Sequence, residues 1–208
     1  GRHAAAIAMK LSIIIPVRPP AEGKTRLAPV LDGPARAALV ERMFRHVLAV
    51  AVQSVPAEQV HVVSRSAMLL QHARECGANA VVDEAGGHIP ALVQASAGVD
   101  QDAPVLALSA DLPLVKTTDI AAMVEALAAA DVVAATDRAG VGTNALLLRR
   151  PGLIAYAFGE ASLARHRGQA EARGLRFAVI KTDGLSSDVD DPADLALLAA
   201  RSDGRRLA

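Results

Sequence analysis

Ile13-Ile14-Ile15-Pro16-Val17-Arg18-Pro19-Pro20-Ala21-Glu22-Gly23-Lys24-Thr25-Arg26-Leu27 is the stretch whose reading decides the fold. Its isoleucines alternate with no polar residue, the mark of a strand buried on both faces of a parallel sheet. The strand runs into a Pro/Gly-rich loop that delivers three cations, Arg18, Lys24 and Arg26, ahead of a helix. A loop at the carboxyl end of a first parallel strand is where α/β proteins hold phosphates. Neither the Gly-x-x-x-x-Gly-Lys-Ser/Thr of a Walker A loop nor the Gly-x-Gly-x-x-Gly of a dinucleotide fold is present. The segment therefore reads in one of two ways: a loop that grips a polyphosphate by side-chain charge, or a solvated basic turn.

Outward from this strand, apolar runs recur between alanine-rich stretches. Strands are expected at Leu11–Val17, Gln59–Ser64, Ala80–Val82, Val105–Ser109, Val132–Ala135, Ala145–Leu148 and Phe177–Ile180. Helices are expected at Pro34–Val52, Ala67–Glu75, Pro90–Ala97, Thr117–Ala129, Ser162–Arg173 and Pro192–Arg201. Asp32-Gly33-Pro34 and Asp191-Pro192 are helix-start signals, and Thr118-Asp119 can cap the fourth helix. This alternation predicts an α/β protein, a three-layer α/β/α sandwich around a mostly parallel sheet. A single domain over residues 9–201 is expected, with residues 1–8 a leader or vector remnant and residues 202–208 a flexible tail.

Composition narrows the function. The 208 residues hold 22 basic and 22 acidic side chains, so the formal net charge is zero, and no basic patch suggests nucleic acid. With no Trp, one Tyr and three Phe, there is no aromatic platform for stacking single-stranded bases. No apolar run approaches the roughly 20 residues of a membrane span. Cys76 is the only cysteine, so neither an internal disulfide nor a zinc–thiolate cluster can form, which fits a reducing cytoplasm. The six histidines show no metal-ligand spacing.

Two acidic segments carry candidate chemistry. In Val105-Leu106-Ala107-Leu108-Ser109-Ala110-Asp111-Leu112-Pro113 a buried strand ends in a lone carboxylate, which is costly unless paired or bound to metal. Asp111 is either a magnesium ligand, acting with substrate phosphates, or a cap for the next turn. In Ser187-Asp188-Val189-Asp190-Asp191-Pro192, period-two spacing puts Asp188 and Asp190 on the same side. Asp190 shares a metal with Asp111 if the two segments meet; otherwise these acids are helix caps. Ser162 opens a helix, where it serves as an N-cap or an anion contact. Arg165 and His166 on the same helix either add positive charge there or are solvated. Asp83 and Glu84, just before Gly86-Gly87, are acidic acceptors that could take the N–H donors of a base.

Taken together, these segments resemble a known family. The basic loop with Lys24-x-Arg26, Ala110-Asp111-Leu112-Pro113, Gly142-Thr143-Asn144-Ala145-Leu146-Leu147-Leu148, Phe158-Gly159-x-x-Ser162 and Asp188-Val189-Asp190 look like the 2-phospholactate guanylyltransferase family, whose members include phosphoenolpyruvate and 3-phosphoglycerate guanylyltransferases. The resemblance spans about residues 9–201. It implies a Rossmann-like (GT-A-like) nucleotidyltransferase fold related to molybdenum-cofactor guanylyltransferases. It further implies condensation of GTP with a small phosphorylated acid (2-phospho-L-lactate, phosphoenolpyruvate or 3-phospho-D-glycerate) in making coenzyme F-420, with Mg2+ as cofactor. On the matching positions, Lys24, Arg26 and Asp111 are catalytic. Arg18, Lys24, Arg26, Asp83, Glu84, Gly86 and Gly87 face the nucleotide, Thr143, Gly159 and Ser162 hold the phospho-acid, and Asp111 and Asp190 hold the metal. GTP and the acid are the expected partners, and the resemblance leaves room for a homodimer. Two departures are visible: His88-Ile89-Pro90 stands where the family continues with Leu-Asn, and Glu160-Ala161 where it has Pro-Gly. The rival readings are a nucleotidyltransferase for another acceptor, such as a molybdopterin, and a nucleotide-binding module without turnover.

Overall fold

A computed structural model describes residues 10–206, with residues 201–206 described as backbone alone. The expectation for residues 1–8 therefore lies outside the described residues. Seven strands form one sheet: β1 (Ser12–Pro16), β2 (Val60–Ser64), β3 (Asn79–Val82), β4 (Val105–Leu108), β5 (Val132–Thr136), β6 (Thr143–Leu148) and β7 (Phe177–Ile180). Their order is β3-β2-β1-β4-β6-β5-β7. Only β6 runs against its neighbours, β4 and β5; every other pairing is parallel. Among the described residues, six α-helices flank the sheet: α1 (Gly33–Ser54), α2 (Ala67–Glu75), α3 (His88–Ala97), α4 (Thr117–Ala126), α5 (Ser162–Ala172) and α6 (Pro192–Arg206). None of the described helices is long and apolar enough to cross a membrane.

The isoleucine run shows how the sequence makes three layers. Ile13 and Ile15 point to one face of β1, where they pack with Phe44, Val47 and Leu48 of α1 and Leu69 of α2. Ile14 points to the other face and packs in the cluster that holds Leu92 of α3 and Leu163 of α5. The same division repeats in β6, with Leu147 on the first face and Leu146 and Leu148 on the second. A strand buried on both faces needs apolar residues at consecutive positions, which the period-two geometry of a strand explains. Phe44 is fully buried, and Phe44→Ala would cost about 3–5 kcal/mol.

The helix starts follow their signals, with one correction. Asp32 accepts the N–H of Ala35 at 2.8 Å and caps α1. Asp191 accepts the N–H of Asp194, and Asp194 accepts that of Asp191, a reciprocal cap for α6. Asp119 caps α4 as expected, but from the third position inside the first turn: buried, it accepts the N–H of the N-cap residue Lys116 at 2.8 Å, whereas Thr118 makes no capping bond among the described residues. Helix α6 also runs to Arg206, beyond the Arg201 expected and into the segment taken as a flexible tail.

A third, small cluster positions the chemistry. Leu27, just past the basic loop, packs with Leu39 and Met43 of α1 and with Val189. Val189 is buried, so its neighbours Asp188 and Asp190 both turn the other way, as their spacing requires. One apolar contact thus brings the basic loop and the acidic segment together.

Candidate active site

An open cleft of about 1080 Å³ lies at the carboxyl ends of β1 and β4 and the amino end of the reversed strand β6. Open α/β sheets bind ligands at this edge. Its first half is built from the β1 loop and the acids. The ammonium of Lys24 donates to Asp111 Oδ2 at 2.5 Å and to Asp190 Oδ1 at 2.6 Å. These three residues lie 87 and 166 positions apart in the chain and meet only in the fold. Burial alone would lower the pKa of Lys24, but Asp111 and Asp190 outweigh it and raise the pKa above lysine's ordinary value. Lys24 therefore stays charged. Its backbone is left-handed, at φ 54°, a conformation that costs a non-glycine residue about 1–2 kcal/mol. The loop is also tied to the end of β2 by an exposed ion pair between Glu22 and Arg65, worth about 0–1 kcal/mol.

Arg18 and Arg26 line the same half with exposed side chains and form no ion pair among the described residues. Asp188 joins them. Burial, opposed by a 2.9 Å hydrogen bond from Asn144 and reinforced by Asp111 and Asp190, raises its pKa to about 6. Asn144 is buried, and its amide also donates to the carbonyl of Leu185 at 2.9 Å, so the Asp188 segment is held against β6.

The second half is built on hydrogen-bonding groups, with the carboxylates of Asp137 and Glu160 also in its lining. The loop between β5 and β6 closes tightly: Asp137 accepts the N–H of Val141, and Thr136 donates to the carbonyl of Gly142. A Cβ at position 142 would lie 2.6 Å from the Asp137 carboxylate oxygen, so any other residue would push aside the side chain that holds the turn. This turn sets Thr143, buried, at the cleft edge. Gly159 has φ 110° with nothing within 4 Å of a would-be Cβ, so its backbone is bare toward the cleft. Ser162 is buried and is the first residue of α5; the cap position belongs to Ala161, at φ 49°. Ser162 is thus not the N-cap. His166 is neither solvated nor a source of positive charge: it is fully buried, and burial, aided by Arg165, lowers its pKa to about 4.

Of the residues singled out in the sequence, Arg18, Lys24, Arg26, Asp111, Thr143, Gly159, Ser162 and Asp190 all line this one cleft. Asp83, Glu84, Gly86 and Gly87 do not. Asp83 accepts the N–H groups of Ala85 and Gly86, and Gly86 and Gly87 have φ 66° and 104°, so this segment shapes the turn into α3. The lining there starts with His88, Ile89 and Pro90. Residues the sequence did not assign to the site are Ser109, Asp137, Asn144, Phe158 and Asp188, with His166 behind them. The Asp188-x-Asp190 spacing already pointed to Asp188.

Among the described residues, no group of three or more His, Cys, Asp or Glu side chains is arranged to hold a metal ion. Asp111 and Asp190 nonetheless converge on a single cation, the Lys24 ammonium, from two chain segments. Two hard oxygen donors in a cleft that also presents Arg18 and Arg26 match what magnesium takes from a protein, so this donor set fits the ion.

Comparison with known proteins agrees with the architecture. Residues 11–206 match the family described as guanylyl transferase CofC like. A phosphoenolpyruvate guanylyltransferase of Rubrobacter xylanophilus is 36% identical over 195 residues, 92% of this chain and 95% of that protein. One from Streptomyces coelicolor is 31% identical over 204 residues, 96% of this chain and 95% of that protein. Among solved structures, the 4-diphosphocytidyl-2C-methyl-D-erythritol synthase of Anaerococcus prevotii superposes with a TM-score of 0.64 at 11% identity, covering 96% of this chain and 99% of that one. A cytidylyltransferase from Leptospira borgpetersenii gives 0.56 at 14% identity, covering 91% and 85%. These two share the fold, an α/β sandwich. The extent of the family match and the identity to its members lead to one conclusion: the chain belongs to the CofC-like guanylyl transferase family.

Proposed function

We propose that the chain transfers the guanylyl group of GTP to the phosphate of a phosphorylated three-carbon acid, releasing pyrophosphate, as a step in making coenzyme F-420. Of the three acids, phosphoenolpyruvate is the one in the names of the similar proteins, and it is the acceptor proposed. The observation that supports this reading is the division of one cleft into a half that gathers Arg18, Lys24 and Arg26 and a half of hydrogen-bonding groups around Thr143, Gly159 and Ser162, room for two different anions.

In the reaction, an oxygen of the acid's phosphate forms a bond to the α-phosphorus of GTP. The bond from that phosphorus to the oxygen bridging the β-phosphorus breaks, and its electron pair leaves with pyrophosphate. No proton need be removed, because the attacking phosphate, with a second pKa of about 6, is mostly dianionic at pH 7. The obstacle is bringing two anions together, and positioning with charge neutralisation meets it. Arg18 and Arg26 offer exposed guanidinium groups to the triphosphate. Lys24 keeps Asp111 and Asp190 from repelling each other and sets a fixed positive charge where phosphate charge gathers. Thr143, the bare backbone at Gly159 and Ser162 take the acid. Asp111 and Asp190 are the residues that would hold magnesium, which when bound would supply charge neutralisation for the phosphates.

Phosphorus NMR of the protein with GTP, magnesium and each acid in turn tests the proposal. A new diphosphate diester with equimolar pyrophosphate is expected with phosphoenolpyruvate. Retained GTP and no pyrophosphate with any of the acids would reduce the chain to a binding module.

A further inference from the structure

His166 does no chemistry in this account, yet it is fully buried directly behind Thr143. Four residues after Ser162, it shares the inner face of α5. Its ring is wedged edge-on against Phe158, with centroids 5.3 Å apart and planes at 72°. Both ring nitrogens have partners. The backbone N–H of Ala157 points at Nε2, at 2.9 Å, and Thr143 Oγ1 lies 3.1 Å from Nδ1.

The Ala157 contact decides the rest. An amide N–H can only donate, so Nε2 must present a lone pair. A ring proton must then sit on Nδ1, and Nδ1–H faces Thr143 Oγ1. The threonine oxygen therefore accepts. Its own hydroxyl proton has no acceptor among the described residues, since His166 is the sole hydrogen-bond partner of that side chain. Thr143 borders the cleft, so the proton is available to a ligand there. A hydroxyl that is to hold an anion has to donate.

We propose that His166 is a positioning residue whose Nδ1–H fixes the Thr143 hydroxyl as a donor to the acid substrate. The proposal rests on the reading of the Thr143 half of the cleft as the acid site. Burial of the imidazole, which keeps it neutral, agrees with this arrangement.

Two substitutions separate this role from simple support of Ala157. In His166→Asn the carboxamide nitrogen falls near the place of Nδ1 and keeps a donor for Thr143, but the acceptor for Ala157 is lost. In His166→Gln the longer side chain reaches the place of Nε2 and keeps that acceptor, but loses the donor to Thr143. His166→Gln should raise the KM for phosphoenolpyruvate about tenfold, the cost of one hydrogen bond to a charged group, with the KM for GTP unchanged. His166→Asn should stay within about threefold of wild type for both substrates. The reverse ranking, or equal losses in the two variants, overturns the proposal. Long-range proton–nitrogen NMR of the ligand-free protein gives a reading independent of substrate: Nδ1–H is expected, and Nε2–H overturns the proposal outright. An unchanged acid KM in Thr143→Val, with Nδ1–H present, shows instead that the acid-site reading has failed and removes the proposal with it.

Discussion

Lys24, Asp111 and Asp190 meet in one half of the cleft with side chains 12%, 25% and 50% exposed, whereas Thr143 and Ser162 in the other half are 6% and 1% exposed. The first group is charged and drawn from three distant segments, held together by attraction and by the Leu27–Val189 contact beneath it. The second group carries no charge and is fixed by local devices: a glycine packed against the Asp137 side chain, a helix start, and a buried histidine. Charged groups in partial contact with water can change partners when a ligand arrives. Buried neutral groups cannot, so their geometry has to be correct beforehand. The contrast suits a triphosphate on one side and a small acid, whose carboxylate and phosphate must be placed accurately, on the other.

The contrast can be broken most severely at Asp111. Asp111→Asn should cost more than about 100-fold in turnover, because charge neutralisation at the reacting phosphates is the largest catalytic contribution here. Its circular dichroism and melting temperature should stay near wild type, since the group is partly exposed. Steady-state kinetics beside a thermal melt checks both, and near-normal turnover would remove Asp111 from the reaction. Lys24→Ala comes next, with a loss above tenfold in kcat/KM, equivalent to about 1.4 kcal/mol. The loss should fall on GTP; a loss confined to the acid would mean the loop serves the other substrate.

Smaller effects sharpen the comparison. The carboxyl of Asp188 titrates near 6 in the folded protein and at its ordinary, lower value when unfolded. Between those values the native state binds more protons than the unfolded state, so this group makes stability fall as pH rises through the window. Asp188→Asn keeps an acceptor for Asn144 and should flatten that decline, as chemical denaturation at pH 4, 5, 6 and 7 would reveal. A decline as steep as wild type's would mean that Asp188 is not the group responsible. Glu160, exposed at the edge of the half that holds Thr143 and Ser162, puts a negative charge beside the proposed acid site. Glu160→Gln should lower the acid KM by about two- to threefold, in the range of a screened surface charge. No change would place that carboxylate too far from the substrate to matter.

Much of this arrangement is legible in the chain. The isoleucine strand, the acid at the end of β4 and the alternation of Asp188 with Asp190 point correctly because each depends on local spacing. The reversal of β6 is not visible in Ala145–Leu148, since a run buried on both faces reads alike in either direction. Its only trace is the Gly140-Val141-Gly142 turn that closes the β5–β6 hairpin. Lys24 as a bridge between Asp111 and Asp190 could not be read at all, because the pairing spans more than half the chain. Asp83 looked available as a base acceptor, yet its carboxylate is taken up by the turn it starts. His166 looked like a surface cation until the fold buried it. Its spacing of four from Ser162 was the signal that the two share a helix face.

The division of labour between the two halves is tested most directly by one paired measurement, the KM for GTP and for phosphoenolpyruvate in Arg26→Ala and Thr143→Val. Arg26→Ala should raise the KM for GTP by about tenfold and leave the acid alone, and Thr143→Val should do the opposite by a similar factor. If either substitution raises both constants equally, or if the two patterns are exchanged, the cleft is not divided as described.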